Sequence, residues 1–124
     1  MKIYVFTTEP TQYFSKELEK SANQFQIDFE VIDFNNLILS DNVNDSKLYH
    51  NDKELIINNE TYIVPRFSFE NAYFKLSILE YCVSKGARII NTPNGLRMCN
   101  DKLHTQIKLT SLGVKTPWTI SVIN

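Results

Sequence analysis

Glycine and proline are scarce in this chain, three and four among 124 residues. With no internal repeat and no low-complexity tract, that excludes a collagen-like or linker-like polypeptide and argues against disorder. Only two cysteines occur, Cys82 and Cys99, far apart and at no metal-ligand spacing. A disulfide-framed secreted domain and a zinc site are therefore not expected, and two free thiols in a reducing cytoplasmic setting are. The net charge is −1, so the chain carries no electrostatic footprint for nucleic acid or an anionic membrane. No apolar run reaches membrane-spanning length, and Met1 to Thr7 reads as a short strand rather than a signal peptide. No G-x-G-x-x-G follows that strand, which takes away the main support for a dinucleotide-binding dehydrogenase. The two histidines, His50 and His104, have no Ser or Cys context that would make a nucleophile–base pair.

What is present is 43% hydrophobic sequence, enough to bury a real core in one domain. Lys2 to Thr7 reads as a buried strand, followed by a turn at Thr7-Thr8-Glu9-Pro10 and a helix to about Gln24. Phe14, Leu18, Ala22 and Phe25 recur at helical spacing and should form its core stripe. Thr7 and Thr8 are placed either to offer hydroxyls to a ligand or, more simply, to cap that helix. Ile27 to Phe34 is a second strand, and the βαβ order predicts a mostly parallel sheet. Asn35 to Asp45 is polar, turn-rich and expected to be the least ordered part. Lys47–Asn51 and Lys53–Ile57 pattern as two short strands joined through Asn51-Asp52, a hairpin turn. His50 is expected as a surface strand residue, since no second ligand stands at metal spacing.

Thr61 to Val64 is the next core strand, ended by Pro65-Arg66. Ligands gather at the carboxyl ends of strands in open α/β sheets, so Arg66 is a candidate for gripping a carboxylate or phosphate. The competing reading is a surface ion pair worth about 0–1 kcal/mol. Ser68 is a reasonable N-cap for a helix from Phe69 to Lys85, with Gly86 closing it. That helix has two apolar stripes. Ala72, Leu76, Leu79 and Val83 should face the sheet, leaving Phe74, Ile78 and Tyr81 on the other side. A surface helix has one such face. Either the segment from Asn35 to Asn59 folds over the second stripe, or a partner does, and the expectation is a partner surface and a homo-oligomer.

Arg88 to Asn91 reads as the fourth strand, with Asn91 leaving its carboxyl end in the region of Arg66. Asn94-Gly95 makes the following turn, Leu96 to Cys99 a helical turn, and Asn100 the N-cap of a helix over Asp101–Leu112 closed by Gly113. Leu103 and Ile107 should be buried on one side of it, Leu109 and Leu112 on another. Asp101 in the first turn complements the helix dipole; Lys102 does not. A lysine beside free helix N–H groups makes an anion site, although on periodicity alone a solvated lysine is the simpler reading. Arg97 and His104 are expected in solvent. Pro117 to Val122 patterns as a final strand anchored by Trp118, the chain running extended to Ile123.

The order Met1-Lys2-Ile3, Val64-Pro65-Arg66, then Asn91 with Asn100-Asp101-Lys102, Leu112-Gly113-Val114 and Thr116-Pro117 resembles the amino-terminal, pre-ATP-grasp domain of ATP-grasp carboxylate–amine ligases. The RimK-type glutamate ligases are the nearest in look. The resemblance is strongest over the last third and weak between Asn35 and Thr61. It implies a three-layer Rossmann-like α/β domain with a small β-hairpin insertion over residues 1–116, and residues 117–124 starting a connection to an ATP-grasp domain, present in cis or in trans. It also implies a parent enzyme that uses ATP and Mg²⁺ to form an acyl phosphate, which an amino-acid or peptide amine attacks. On that resemblance Lys102 would reach the nucleotide phosphates, and Arg66 and Asn91 would line the substrate cleft. These 124 residues show no carboxylate cluster for magnesium and no glycine-rich phosphate loop, so alone they are expected to be non-catalytic and to bind ATP weakly. The alternative is a non-catalytic Rossmann-like or flavodoxin-like module docking a partner through Phe74, Ile78 and Tyr81.

Overall fold

The computed structural model describes residues 1–122, so Ile123 and Asn124 lie outside the described residues. In chain order the elements are β1 (Lys2–Thr7), α1 (Tyr13–Gln24), β2 (Asp28–Asp33), β3 (Leu37–Ser40), β4 (Lys47–His50), β5 (Lys53–Leu55), β6 (Thr61–Arg66), α2 (Ala72–Ser84), β7 (Arg88–Ile89), α3 (Pro93–Asn100) and α4 (Lys102–Ser111). The fold is α/β, with a four-stranded parallel sheet ordered β2-β1-β6-β7 and an antiparallel sheet ordered β3-β4-β5. Within the span expected as one domain, the chain divides into two compact units, Met1–Asn91 and the stretch from Thr92 on.

In the first unit β1 is central because Tyr4, Val5, Phe6 and Thr7 are buried in succession, which requires cover on both faces. Phe6, Ile32, Ile63, Ile78 and Leu79 are fully buried, each worth about 1.5–3 kcal/mol relative to exposure. β7 is shorter than the expected strand. Arg88 and Ile89 pair with Tyr62 and Ile63, the Ile90 N–H donates to the Ile63 carbonyl at 3.0 Å, and the chain leaves through a cis Ile90–Asn91 peptide.

Three helices end in one backbone solution, in which a residue at positive φ folds the next N–H back onto the last turn. Gly86 (φ +95°) and Gly113 (φ +73°) do this for α2 and α4, with Ala87 N–H on the Cys82 carbonyl and Val114 N–H on Leu109. For α1 the same place falls to Gln26 at φ +55°, with Ile27 N–H on Ala22 at 2.9 Å. The bend at Gln26 explains why Phe25 is 70% exposed instead of closing the expected stripe, while Ser15 is buried. A side chain with a Cβ is strained in this conformation. Gln26→Gly should therefore stabilise the protein by about 0.5–1 kcal/mol, raising the melting temperature by about 2–6 °C. An unchanged or lower melting temperature would refute the assignment of strain.

The stretch expected as least ordered contributes a strand. β3 pairs with β4, and β4 with β5, so the hairpin is one half of a three-stranded meander. Asn51 and Asp52, at φ +48° and +62°, form its tight turn as the sequence indicates. Leu37, Leu48 and Leu55 are its buried side chains. His50 is a strand residue as expected but half-buried: its Nε2 accepts the Asp33 N–H at 3.2 Å and ties the meander to the end of β2.

Two helix readings are corrected. Ser68 does not cap α2; Asn71, in a left-handed conformation, precedes it without a side-chain cap. The two stripes are not two faces either. Lys75, Leu76, Ile78, Leu79 and Cys82 are the buried residues, and Ile78 has no exposed surface. Tyr81 is half-buried and its hydroxyl donates to the Ser46 carbonyl at 2.8 Å. Of the expected partner stripe only Phe74 stays open, and Val83, expected against the sheet, is exposed as well. The chain's own segment before β4 reaches this side of the helix, which is the first of the two alternatives drawn from the sequence.

In the second unit Thr92 caps α3 by accepting the Gly95 N–H at 3.2 Å, so Asn94 and Gly95 lie within a helix instead of a turn. Asp101, not Asn100, caps α4 by accepting the His104 N–H at 2.9 Å. Residues 117–122 form no strand, and Trp118 is 88% exposed, so it anchors nothing among the described residues. α4 has no buried residue, and Leu103, Ile107 and Leu112 are exposed where burial was expected. Gln106 holds the terminal segment to α4, its amide donating to Thr116 Oγ1 at 2.6 Å and to the Pro117 carbonyl at 3.2 Å. Between them lies an open groove of about 620 Å³, with Leu103, Ile107 and Trp118 supplying its apolar lining.

Candidate functional site

The order β2-β1-β6-β7 reverses direction between β1 and β6, because β1 leads outward to β2 on one side and β6 to β7 on the other. Such a reversal parts the two connections and leaves a crevice beyond the carboxyl ends of the central strands, where ligands of open α/β sheets bind. Thr7 and Arg66 are register partners at that edge. A polar crevice of about 390 Å³ opens there, lined by Thr8, Glu9 and Gln12 after β1 and by Arg66, Phe67 and Ser68 at and after β6.

Its geometry is set locally. Thr7 is buried and its hydroxyl accepts the Glu9 N–H at 3.0 Å, turning the chain so that Glu9 lines the crevice. Neither threonine caps α1, which Gln12 precedes without a side-chain cap; Thr7 shapes the turn instead, and Thr8 lines the crevice. The Arg66 guanidinium lies 4.5 Å from the centre of the Phe14 ring. Stacking of this kind restrains the guanidinium plane while leaving its N–H edge able to grip a carboxylate or phosphate. Ion pairs join Lys2 to Asp28 and Glu30, and Lys47 to Asp45 and Glu54. Arg66 and Glu9 take part in none of them.

The opposite wall is braced from within. Lys75 is 6% exposed, and its ammonium donates to the carbonyls of Ser68 at 2.9 Å and Glu70 at 2.6 Å while lying 5.5 Å from the Phe67 ring centre. All three partners are neutral, so a positive charge sits buried behind the crevice wall. A chain of ring contacts continues from Phe67 to Phe34 (5.0 Å) and from Phe34 to Phe6 (5.5 Å), tying the wall to the core.

Of the residues singled out in the sequence, Arg66 stands in the crevice. Asn91 is exposed beyond β7 and does not line it. Lys102 is the first residue of α4 in the second unit, exposed, and lines neither the crevice nor the groove on α4. Its helix N-terminus is already served by the Asp101 carboxylate, which places a negative charge where the sequence suggested open donors. Sequence reasoning missed Glu9, Gln12 and Lys75. A signal for Lys75 was present: it stands at helical spacing with Ile78, Leu79 and Cys82, a charged residue within a buried stripe.

No helix among the described residues is long and apolar enough to cross a membrane, and none of their His, Cys, Asp and Glu residues gather in a group of three or more that could hold a metal ion. No family model matches the chain, and no curated protein does.

Proposed function

We propose that this chain is the amino-terminal domain, three-layered and Rossmann-like, of a cytoplasmic ATP-grasp ligase joining an amino-acid or peptide amine to a carboxylate. The observation that carries the reading is Arg66, unpaired in ion-pair terms and restrained on Phe14, at the switch point of a parallel sheet. It fits a wall that grips a substrate carboxylate. The exposed Leu103, Ile107 and Trp118 along the groove on α4 support a role as a platform, because each gains about 1.5–3 kcal/mol when another body covers it. In this reading the ATP-grasp domain, in cis or in trans, covers it and supplies the magnesium ligands. A homo-oligomer loses its ground, since the stripe that suggested one is largely buried within the chain.

The reaction proposed is transfer of the terminal phosphoryl group of ATP to a carboxylate oxygen, then attack of the amine on the acyl carbon with loss of phosphate. Both steps concentrate negative charge that cationic side chains stabilise. Lys102 is assigned to the nucleotide phosphates and Arg66 to the substrate side, while Asn91, outside the crevice, keeps only the substrate role that the resemblance implies. In the parent enzyme Lys102→Ala should raise the KM for ATP by about 10- to 100-fold, the worth of one charge-assisted contact. An unchanged KM removes Lys102 from the phosphates; no ATP-dependent ligation by the parent removes the reading.

A further inference from the structure

We propose that the switch-point crevice binds a small zwitterion, a free α-amino acid, with Arg66 taking its carboxylate and Glu9 its ammonium. The inference deepens the ligase reading and rests on it only for the step served, since it makes the amine-side substrate a free amino acid rather than a peptide. Binding itself requires no nucleotide.

The argument starts from charge. Glu9 and Arg66 line one crevice of about 390 Å³, yet they lie beyond ion-pair distance of each other and of any other charged group among the described residues. Behind the wall sits the Lys75 ammonium, buried and bonded only to neutral carbonyls. A phosphate or dicarboxylate entering this space would be drawn by Arg66 and repelled by Glu9. A simple amine would meet the reverse. A molecule with both charges on neighbouring carbons satisfies both at once, and the crevice has the volume for its side chain. A peptide terminus cannot do this, because its ammonium and carboxylate are separated by the chain. Preorganisation favours the carboxylate end: the Phe14 ring restrains the Arg66 plane, and the loop carrying Phe67 and Ser68 is fastened by Lys75. Thr8, Gln12 and Ser68 supply uncharged polar groups around the two grips.

The test is a titration of the ¹⁵N-labelled chain followed by its amide resonances, with L-alanine and L-leucine, each beside its N-acetyl and its amide derivative. The amino acids should give saturable shifts at Thr8, Gln12 and Ser68 with affinity on the order of millimolar, as such small ligands reach. Each derivative has lost one charge and should bind about tenfold more weakly or worse. Glu9→Gln should weaken the amino acids and, by removing its repulsion, strengthen the N-acetyl derivatives, whereas Arg66→Gln should weaken both. Both side chains are exposed, so neither variant threatens the fold. No saturable shift up to about 50 mM, far above that affinity, overturns the proposal. So does equal binding of the N-acetyl form, which would mean a plain anion site, or of the amide, a plain cation site. A parent that ligates with ATP while its crevice ignores amino acids would sink this inference alone. Amino-acid binding without ATP-dependent ligation would sink the ligase reading alone.

Discussion

Raising the pH from 9 to 11 should strip about 3 kcal/mol from the first unit, and Cys82 should be the main cause. Its thiol is completely buried, and burial pushes it from 9.0 up to about 12. The folded pKa is raised, so the neutral thiol is favoured by the fold. The stabilisation is fully present below about 9 and drains away as pH climbs toward 12, at about 1.4 kcal/mol per pH step. Tyr4 and Tyr81, both raised chiefly by burial, act in the same direction from about pH 10. Lys2 joins them. Burial pulls its ammonium down, but the hydrogen bond it donates to Glu30 and the charges of Tyr4, Glu30 and Asp28 outweigh that, so its contribution also fades at high pH. Urea denaturation between pH 7 and 11 should show a midpoint that is steady to about 9 and then falls steeply. Cys82→Ala should be less stable at pH 7 yet lack the part of the slope that begins near 9. A profile level to pH 11 would contradict the burial of the thiol. The same burial predicts that thiol reagents label Cys99, which is exposed, and reach Cys82 only after denaturation.

What could be read from the chain was what local rules decide. The first βαβ unit, the glycine ends of α2 and α4 and the Asn51-Asp52 turn each depend on a few adjacent residues. Cap positions slipped where neighbours offer equal chemistry, as with Asn100 and Asp101, and where a left-handed Asn71 starts the helix without a side-chain cap. Larger departures came from long-range packing. Periodicity gave α2 two apolar stripes, and only the fold shows that the Ser46 carbonyl meets Tyr81 across 35 residues of chain. Trp118, Ile120 and Val122 alternate as a strand does, but a strand needs a neighbour to pair with, and among the described residues these three stay exposed. The site was half legible. Arg66 followed from the rule about strand ends, whereas Glu9 needed the strand order, because only the β1–β6 pairing brings the two loops together.

Phe34→Ala should be among the most damaging substitutions of a single side chain, costing about 3–5 kcal/mol against a total stability on the order of 5–15 kcal/mol. Phe34 is 3% exposed and meets two rings edge-on, Phe6 at 5.5 Å and Phe67 at 5.0 Å, with interplanar angles of 89° and 78°. Edge-to-face pairs add about 0.5–1.5 kcal/mol each beyond the area they bury, so removing this ring breaks two such pairs and leaves a cavity. The melting temperature should fall by more than about 10 °C. Phe34→Leu keeps most of the volume and should cost about 1–2 kcal/mol, leaving a folded protein in which Phe67 has lost its edge partner. Because Phe67 forms one wall of the crevice and lies beside the Lys75 ammonium, the leucine variant should also bind the zwitterion more weakly than the parent sequence does. If Phe34→Ala costs less than about 1 kcal/mol, Phe34 is not the tie between core and wall; if Phe34→Leu leaves crevice binding untouched, the wall is held by Lys75 alone.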